Sequence, residues 1–203
     1  MTSEAKGGAS VDNSRCVVVV DNSNIFIEGQ KFSATVKGVK KASPSDRDPC
    51  DPSWRVDFGG LLTSLAEGRS IQAAVLVGSR PPKNDGVWAA AERQGFAVTV
   101  HDRGADNKEK AVDTELVAQG TEIICMAPEP MVLVVASGDR DFIPLVNVAH
   151  RRGWEVEMKA FSSAYNPRGE MATSVDRIKA SDGDFGKIGR NDFDWPFPAS
   201  PAP

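Results

Sequence analysis

The sequence predicts an α/β protein built on a mainly parallel five-stranded sheet with helices on both faces. Three observations predict it. Short apolar runs alternate with helical patterns along the chain. Most of those runs are continuously apolar, as strands buried on both faces are. Each run stops at a small or polar pair of the kind that ends a strand.

The first strand is Cys16–Val20, which stops at Asp21-Asn22. Ala73–Val77 stops at Gly78-Ser79, Phe96–Val100 alternates and stops at His101-Asp102, Met131–Ala136 stops at Ser137-Gly138, and Trp154–Phe161 alternates more loosely. Helical patterns lie between them. Phe58, Leu61, Leu62 and Leu65 repeat at helical spacing behind Asp57, a residue suited to an N-cap. Val87, Trp88 and Ala91 follow Asp85 in the same way, and Val112, Leu116, Ile123 and Ile124 mark a longer helix weakened at Gly120. Phe142, Leu145, Val146 and Ala149 repeat the first spacing, and Met171, Val175 and Ile178 mark a last helix.

The chain has 203 residues, 40% of them hydrophobic, enough for one domain with a core. The expected organisation is a flexible N-terminus over 1–14, one domain over 15–182 with a basic insertion at about 31–52, and a Pro-rich flexible tail over 183–203. No apolar run approaches the ~20 residues of a membrane span, and the polar start carries no signal-peptide core, so neither a membrane nor secretion is expected. Three cysteines without C-x-x-C spacing argue against a disulfide framework or a cysteine zinc site and fit a reducing cytoplasm. Nothing in the sequence sets the oligomeric state.

The net charge is −4, from 24 basic and 28 acidic residues, so the chain as a whole does not attract nucleic acid. The acids are unevenly spread. Between His101 and His150 there are nine acids against four bases. Three features fall at element ends: Asp21-Asn22-Ser23-Asn24 past the first strand, Asp113 near the start of the longer helix, and Ser137-Gly138-Asp139-Arg140-Asp141-Phe142 past the fourth strand. In an open parallel sheet, ligands bind beyond the carboxyl ends of strands where strand order reverses. If the first and fourth strands are neighbours there, Asp21, Asp139 and Asp141 share one crevice, which Asp113 joins from the helix after the third strand.

Two carboxylates about 4 Å apart repel by roughly 4 kcal/mol at an effective dielectric near 20, so such a cluster calls for a cation. Hard oxygen donors with no His or Cys nearby favour Mg²⁺ or Mn²⁺. Taken singly, each acid also suits a helix cap or a first-turn position, which is the plainer explanation for any one of them.

At these residues the chain resembles the NYN family of PIN-like ribonuclease domains. The marks are Asp21 and Asn24 after the first strand, Lys110 and Asp113 opening the helix after the third, and Ser137 to Phe142 after the fourth. The resemblance covers roughly Arg15 to Ala180. It implies a PIN-like three-layer fold with strand order 3-2-1-4-5 and metal-dependent endonucleolytic cleavage of RNA, leaving 5′-phosphate and 3′-hydroxyl ends. It also implies that Asp21, Asp113, Asp139 and Asp141 hold the metal and that Asn24 and Ser137 support the site. Ala111 and Arg140 stand where the family often has smaller or more polar residues.

An acidic crevice repels the polyanion it would cleave, so basic residues must supply the attraction. Candidates are Lys37, Lys40, Lys41 and Arg47 in the insertion, Arg80 and Arg103 after the second and third strands, and Lys110 and Arg140 beside the acids. The expected partner is single-stranded or looped RNA, with Trp54 as the aromatic best placed to stack on a base. A non-catalytic RNA-binding or partner-recruiting module on the same fold is the alternative. An aspartyl phosphotransferase is a poorer fit, because Ser23 stands where that chemistry wants a second acid. A dinucleotide site fits less well still, because no G-x-G-x-x-G follows the first strand.

Overall fold

The structure is a computed structural model and describes residues 11–41, 43, 45–80, 86–102 and 110–191. Its strands are β1 (Asp12–Asp21), β2 (Arg55–Val56), β3 (Ser70–Arg80), β4 (Ala97–Asp102), β5 (Met131–Ala136), β6 (Glu155–Ala160), β7 (Arg177–Ala180) and β8 (Gly189–Arg190). Its helices are α1 (Asn22–Val36), α2 (Phe58–Ala66), α3 (Gly86–Arg93), α4 (Lys110–Met126), α5 (Ile143–Arg151), α6 (Glu170–Ser174) and α7 (Phe185–Ile188).

The main sheet is parallel throughout and has the order β4-β3-β1-β5-β6-β7. The expected five-stranded 3-2-1-4-5 sheet is therefore corrected to six strands, with β7 added as an edge beyond β6. The sequence assigned Met171, Val175 and Ile178 to one helix. In fact α6 stops at Ser174, and Arg177–Ala180 pairs with Glu157–Ala160. The reason lies across the strand pair: Arg177 and Lys179 both reach the fully buried Glu157 carboxylate, which a helix could not arrange.

Period-2 alternation sorts β1 and β5 into two cores. Cys16, Val18, Val20, Val132, Val134 and Ala136 face a layer that includes α2, while Val17, Val19, Leu133 and Val135 face α4 and α5. The caps expected from sequence are present. Asp57 accepts from the backbone N–H of Gly60 at 2.9 Å and so starts α2. Gly120 does not break α4. A side chain there would press on Leu145 of α5, so the ~1 kcal/mol that glycine costs a helix is offset by close packing.

Two expectations about the chain's edges are revised. Residues 31–36 of the insertion are the end of α1, and its far end is anchored in the core. Asp51 is fully buried, where it accepts from Ser33 Oγ at 2.5 Å and Ser53 Oγ at 2.6 Å and pairs with Lys37 Nζ at 2.6 Å. Burial pushes the Asp51 pKa up, but the bonds from Lys37, Ser33 and Ser53 outweigh it and hold the carboxyl well below its usual range.

Residues 183–191, expected to begin a flexible tail, are built into the fold. The Phe185 ring stacks on Trp54 with centroids 5.9 Å apart, Ile188 is buried, and β8 pairs antiparallel with β2. Gly183 and Asp184 give the segment a tail-like composition, but burying Ile188 stabilises it by roughly 1.5–3 kcal/mol. Residues 1–10 and 192–203 lie outside the described residues.

Candidate active site

The sheet order places the reversal between β1 and β5. From β1 the chain moves outward to β3 and β4, then α4 brings it back to β5 on the other side. The register pairs Val20 with Ala136, so the next residues, Asp21 and Ser137, emerge side by side at the carboxyl ends. Both continue the odd-numbered alternation toward α4 and α5.

Asp21 is 6% exposed and Ser137 is fully buried. Ser137 Oγ donates to Asp21 Oδ2 at 3.1 Å, and the backbone N–H of Asp139 approaches Ser137 Oγ at 3.2 Å. Asp21 also caps α1, its Oδ1 accepting from the Asn24 N–H at 3.1 Å. Asp139 caps the 3-10 turn Arg140–Phe142, its Oδ1 accepting from the Asp141 N–H at 3.0 Å. The cap role expected of each carboxylate is thus present for both.

Asp139, Arg140 and Asp141 are exposed, so this turn presents both late acids to solvent. Asp113 stands half-buried in the first turn of α4, a helix that packs on β1, on β3 and on the Arg140–Phe142 turn. Asn24 Oδ1 is buried and has no hydrogen-bond partner among the described residues. That orphaned acceptor, with the all-oxygen donors around it, suits a hard cation in kind. Among the described residues, however, no three Asp, Glu, His or Cys side chains converge closely enough to hold a metal.

The basic residues divide. Lys37 is committed to Asp51 and to Ser53 Oγ at 2.9 Å, and Lys41 pairs with Asp48 at 2.8 Å. Lys40 and Arg47 are exposed and carry no ion pair among the described residues. Arg140 lies on the exposed turn between the two acids. The side chains of Arg80 and Lys110, and all of Arg103, lie outside the described residues. Trp54 is corrected: at 1% exposure it is packed against Gly29 and Gly189, where a Cβ would overlap its ring, and no base can reach it.

A cleft of about 430 Å³ opens beside Asp139, between the end of β5 and the loop after β6. Its lining includes Gly138, Asp139, Arg140, Tyr165, Asn166 and Glu170. In the sequence, Tyr165 and Asn166 stand in a loop before Pro167 and carry no motif. The available signal was their position past a strand's carboxyl end, one strand over from the switch.

Comparison with known proteins agrees with this architecture. No curated protein matches the chain. Among solved structures it is similar to the crystal structure of a protein of unknown function, VPA0982, from Vibrio parahaemolyticus RIMD 2210633. The two are 16% identical with a TM-score of 0.57, over 90% of this chain and 99% of that one, a likeness of fold. The family model of the NYN domain matches residues 18–185, which span both strand ends of the switch and the whole Ser137–Phe142 turn. The chain belongs to the NYN domain family, a family of PIN-like nucleases.

Proposed function

We propose that this protein is a metal-dependent endoribonuclease that hydrolyses RNA phosphodiesters at the β1/β5 switch point. The observation that carries the reading is the Asp21–Ser137 hydrogen bond, which joins the two acid-bearing strand ends at the place where an open parallel sheet binds its ligand. Asp21, Asp113, Asp139 and Asp141 would hold Mg²⁺ or Mn²⁺, with Asn24 Oδ1 as a further oxygen. Such an ion neutralises phosphodiester charge and makes water a stronger nucleophile at neutral pH.

The chain's own groups do the rest. Ser137 orients the Asp21 carboxylate. Asn24 holds a water or a non-bridging oxygen. Arg140 and Lys110 meet the scissile phosphate, and Lys40 and Arg47, with Arg80 and Arg103, draw the strand in. Cys16, Cys50 and Cys125 are free thiols, which suits the cytoplasm as the working compartment.

Mixed cellular RNA, incubated with and without Mn²⁺ and with the cleavage ends mapped, tests the reading. Wild type should cut only with the ion, leaving 5′-phosphates, and Asp139→Asn, which keeps an acceptor for the Asp141 N–H, should stay folded and inactive. Identical patterns from the two proteins would sink the proposal. A non-catalytic RNA-binding module is the second reading, favoured by the commitment of Asp21 and Asp139 to caps. It predicts RNA binding with no cleavage under either ion.

A further inference from the structure

The cleft beside Asp139 has a volume within the ~300–1,000 Å³ range of small-molecule sites, and the mechanism above uses only Asp139 and Arg140 at its edge, leaving Tyr165, Asn166 and Glu170 without a role. We infer that it receives one unpaired guanine of the RNA strand, stacked on Tyr165 and recognised by Glu170 and Asn166. The strand's path past Asp139 rests on the nuclease reading; recognition of the base does not.

Tyr165 is half-buried and packs against the core beneath α5, so its ring is held in place. The loop carrying it is seated on Gly138: a Cβ there would lie 2.5 Å from Ala164 O and 2.9 Å from Tyr165 Cβ. This contact fixes the ring relative to Asp139. A fixed aromatic beside the strand's path is the platform on which an unpaired base stacks.

The charges in the cleft favour a group rich in N–H donors. Asp139 and Glu170 line it together with Arg140, so its carboxylates outnumber its one cation, and those carboxylates accept N–H groups. Glu170 is exposed and has no ion pair among the described residues, so both its oxygens are available. Asn166 Oδ1 already accepts from the Arg168 N–H at 2.9 Å, which leaves the Asn166 amide as a donor. The cleft thus offers a two-oxygen acceptor and a nearby donor. Guanine is the one RNA base with adjacent N1–H and N2–H donors beside an acceptor, O6. Adenine, cytosine and uracil would each leave a Glu170 oxygen facing an acceptor or nothing.

Binding in EDTA reads this without catalysis. The probe is a short labelled oligouridine carrying one guanine, compared by fluorescence anisotropy with the same strand carrying adenine or inosine there. Wild type should bind the guanine strand about tenfold more tightly than the adenine strand, as one bidentate contact allows. Inosine, lacking the N2 amino group, should lose most of the gain. Glu170→Gln should bring the guanine preference within about twofold by weakening the guanine strand about fivefold, while the affinity for the adenine strand changes little. Tyr165→Ala should weaken all strands alike by about tenfold, and Tyr165→Phe should restore them, which separates stacking from a folding defect.

Equal binding of guanine and adenine strands by wild type, or an undiminished preference in Glu170→Gln, overturns the inference. A protein that cleaves no RNA but keeps the guanine preference sinks the nuclease reading and leaves this one standing. One that cleaves RNA with no base preference does the reverse.

Discussion

Ser137 Oγ donates to Asp21 Oδ2 at 3.1 Å across 116 residues of chain. The bond ties the end of β5 to the end of β1, and the same Asp21 carboxylate starts α1. Asp21→Asn therefore keeps a good N-cap but loses the charge and the Oδ2 acceptor, so the Ser137 hydroxyl must turn to accept from the new amide, whereas Asp21→Ala loses the cap, the charge and the Ser137 partner together. Asp21→Asn should abolish RNA cleavage with a melting temperature near wild type, and Asp21→Ala should also lose about 1 kcal/mol of stability. Parallel thermal melts and cleavage assays distinguish them, and full activity in Asp21→Asn would contradict the assignment.

Ser137→Ala removes a buried donor and leaves Asp21 Oδ2 with one partner fewer. The expected loss is about 1 kcal/mol in denaturant unfolding. Cleavage should drop about tenfold, corresponding to roughly 1.4 kcal/mol of lost positioning. A drop in stability with unchanged cleavage would make the serine purely structural.

Lys37 and Lys40 are neighbours in the insertion with opposite expectations. Lys37→Ala leaves the buried Asp51 charge short of its ion pair and should cost on the order of 1–3 kcal/mol of stability. Lys40→Ala with Arg47→Ala should leave stability unchanged and, if both touch phosphate, lower the salt slope of RNA binding by about 2. A salt titration of the double variant decides this, an unchanged slope removing the insertion from the interface.

Gly138 has no room for a side chain, because the Ala164 carbonyl and Tyr165 Cβ lie against it. Gly138→Ala should push the loop after β6 away from the Asp139 turn, lowering both stability and cleavage. Hydrogen exchange should show the change first in residues 162–169, and unchanged protection there would show that the loop is not held at Gly138.

Asp184 fastens the C-terminal segment. Its pKa is depressed well below the usual range, first by the bond from the buried Lys159 Nζ, then by those from Ser64 and Lys187. A depressed carboxylate contributes stability above its unfolded pKa near 3.8 and loses it as pH falls toward the folded value. Wild type should therefore lose stability steadily below about pH 4, and Asp184→Asn should start lower at pH 7 and fall less steeply. Melting curves at several pH values check the sign, and parallel wild-type and variant curves would show that Asp184 does not contribute to the acid slope.

Much of this was legible in the chain. The valine-rich runs marked the central strands because a strand buried on both faces has no polar residue to tolerate, and Asp57 announced its cap because the helical apolar period begins one residue later. The acids at Asp21, Asp139 and Asp141 were legible for the same local reason: each stands where a strand stops. What the sequence could not decide is which distant groups meet. Only the parallel register of β1 against β5 puts Ser137 on Asp21, and only long-range contacts, Lys159 with Asp184, Trp54 with Phe185 and β2 with β8, make order out of a segment whose composition reads as a tail. Trp54 shows the limit most plainly. Its neighbours in sequence are polar and looped, yet Gly29 and Gly189 make a slot for its ring. Period and propensity act over a few residues, whereas burial depends on surfaces that come together only when the chain closes.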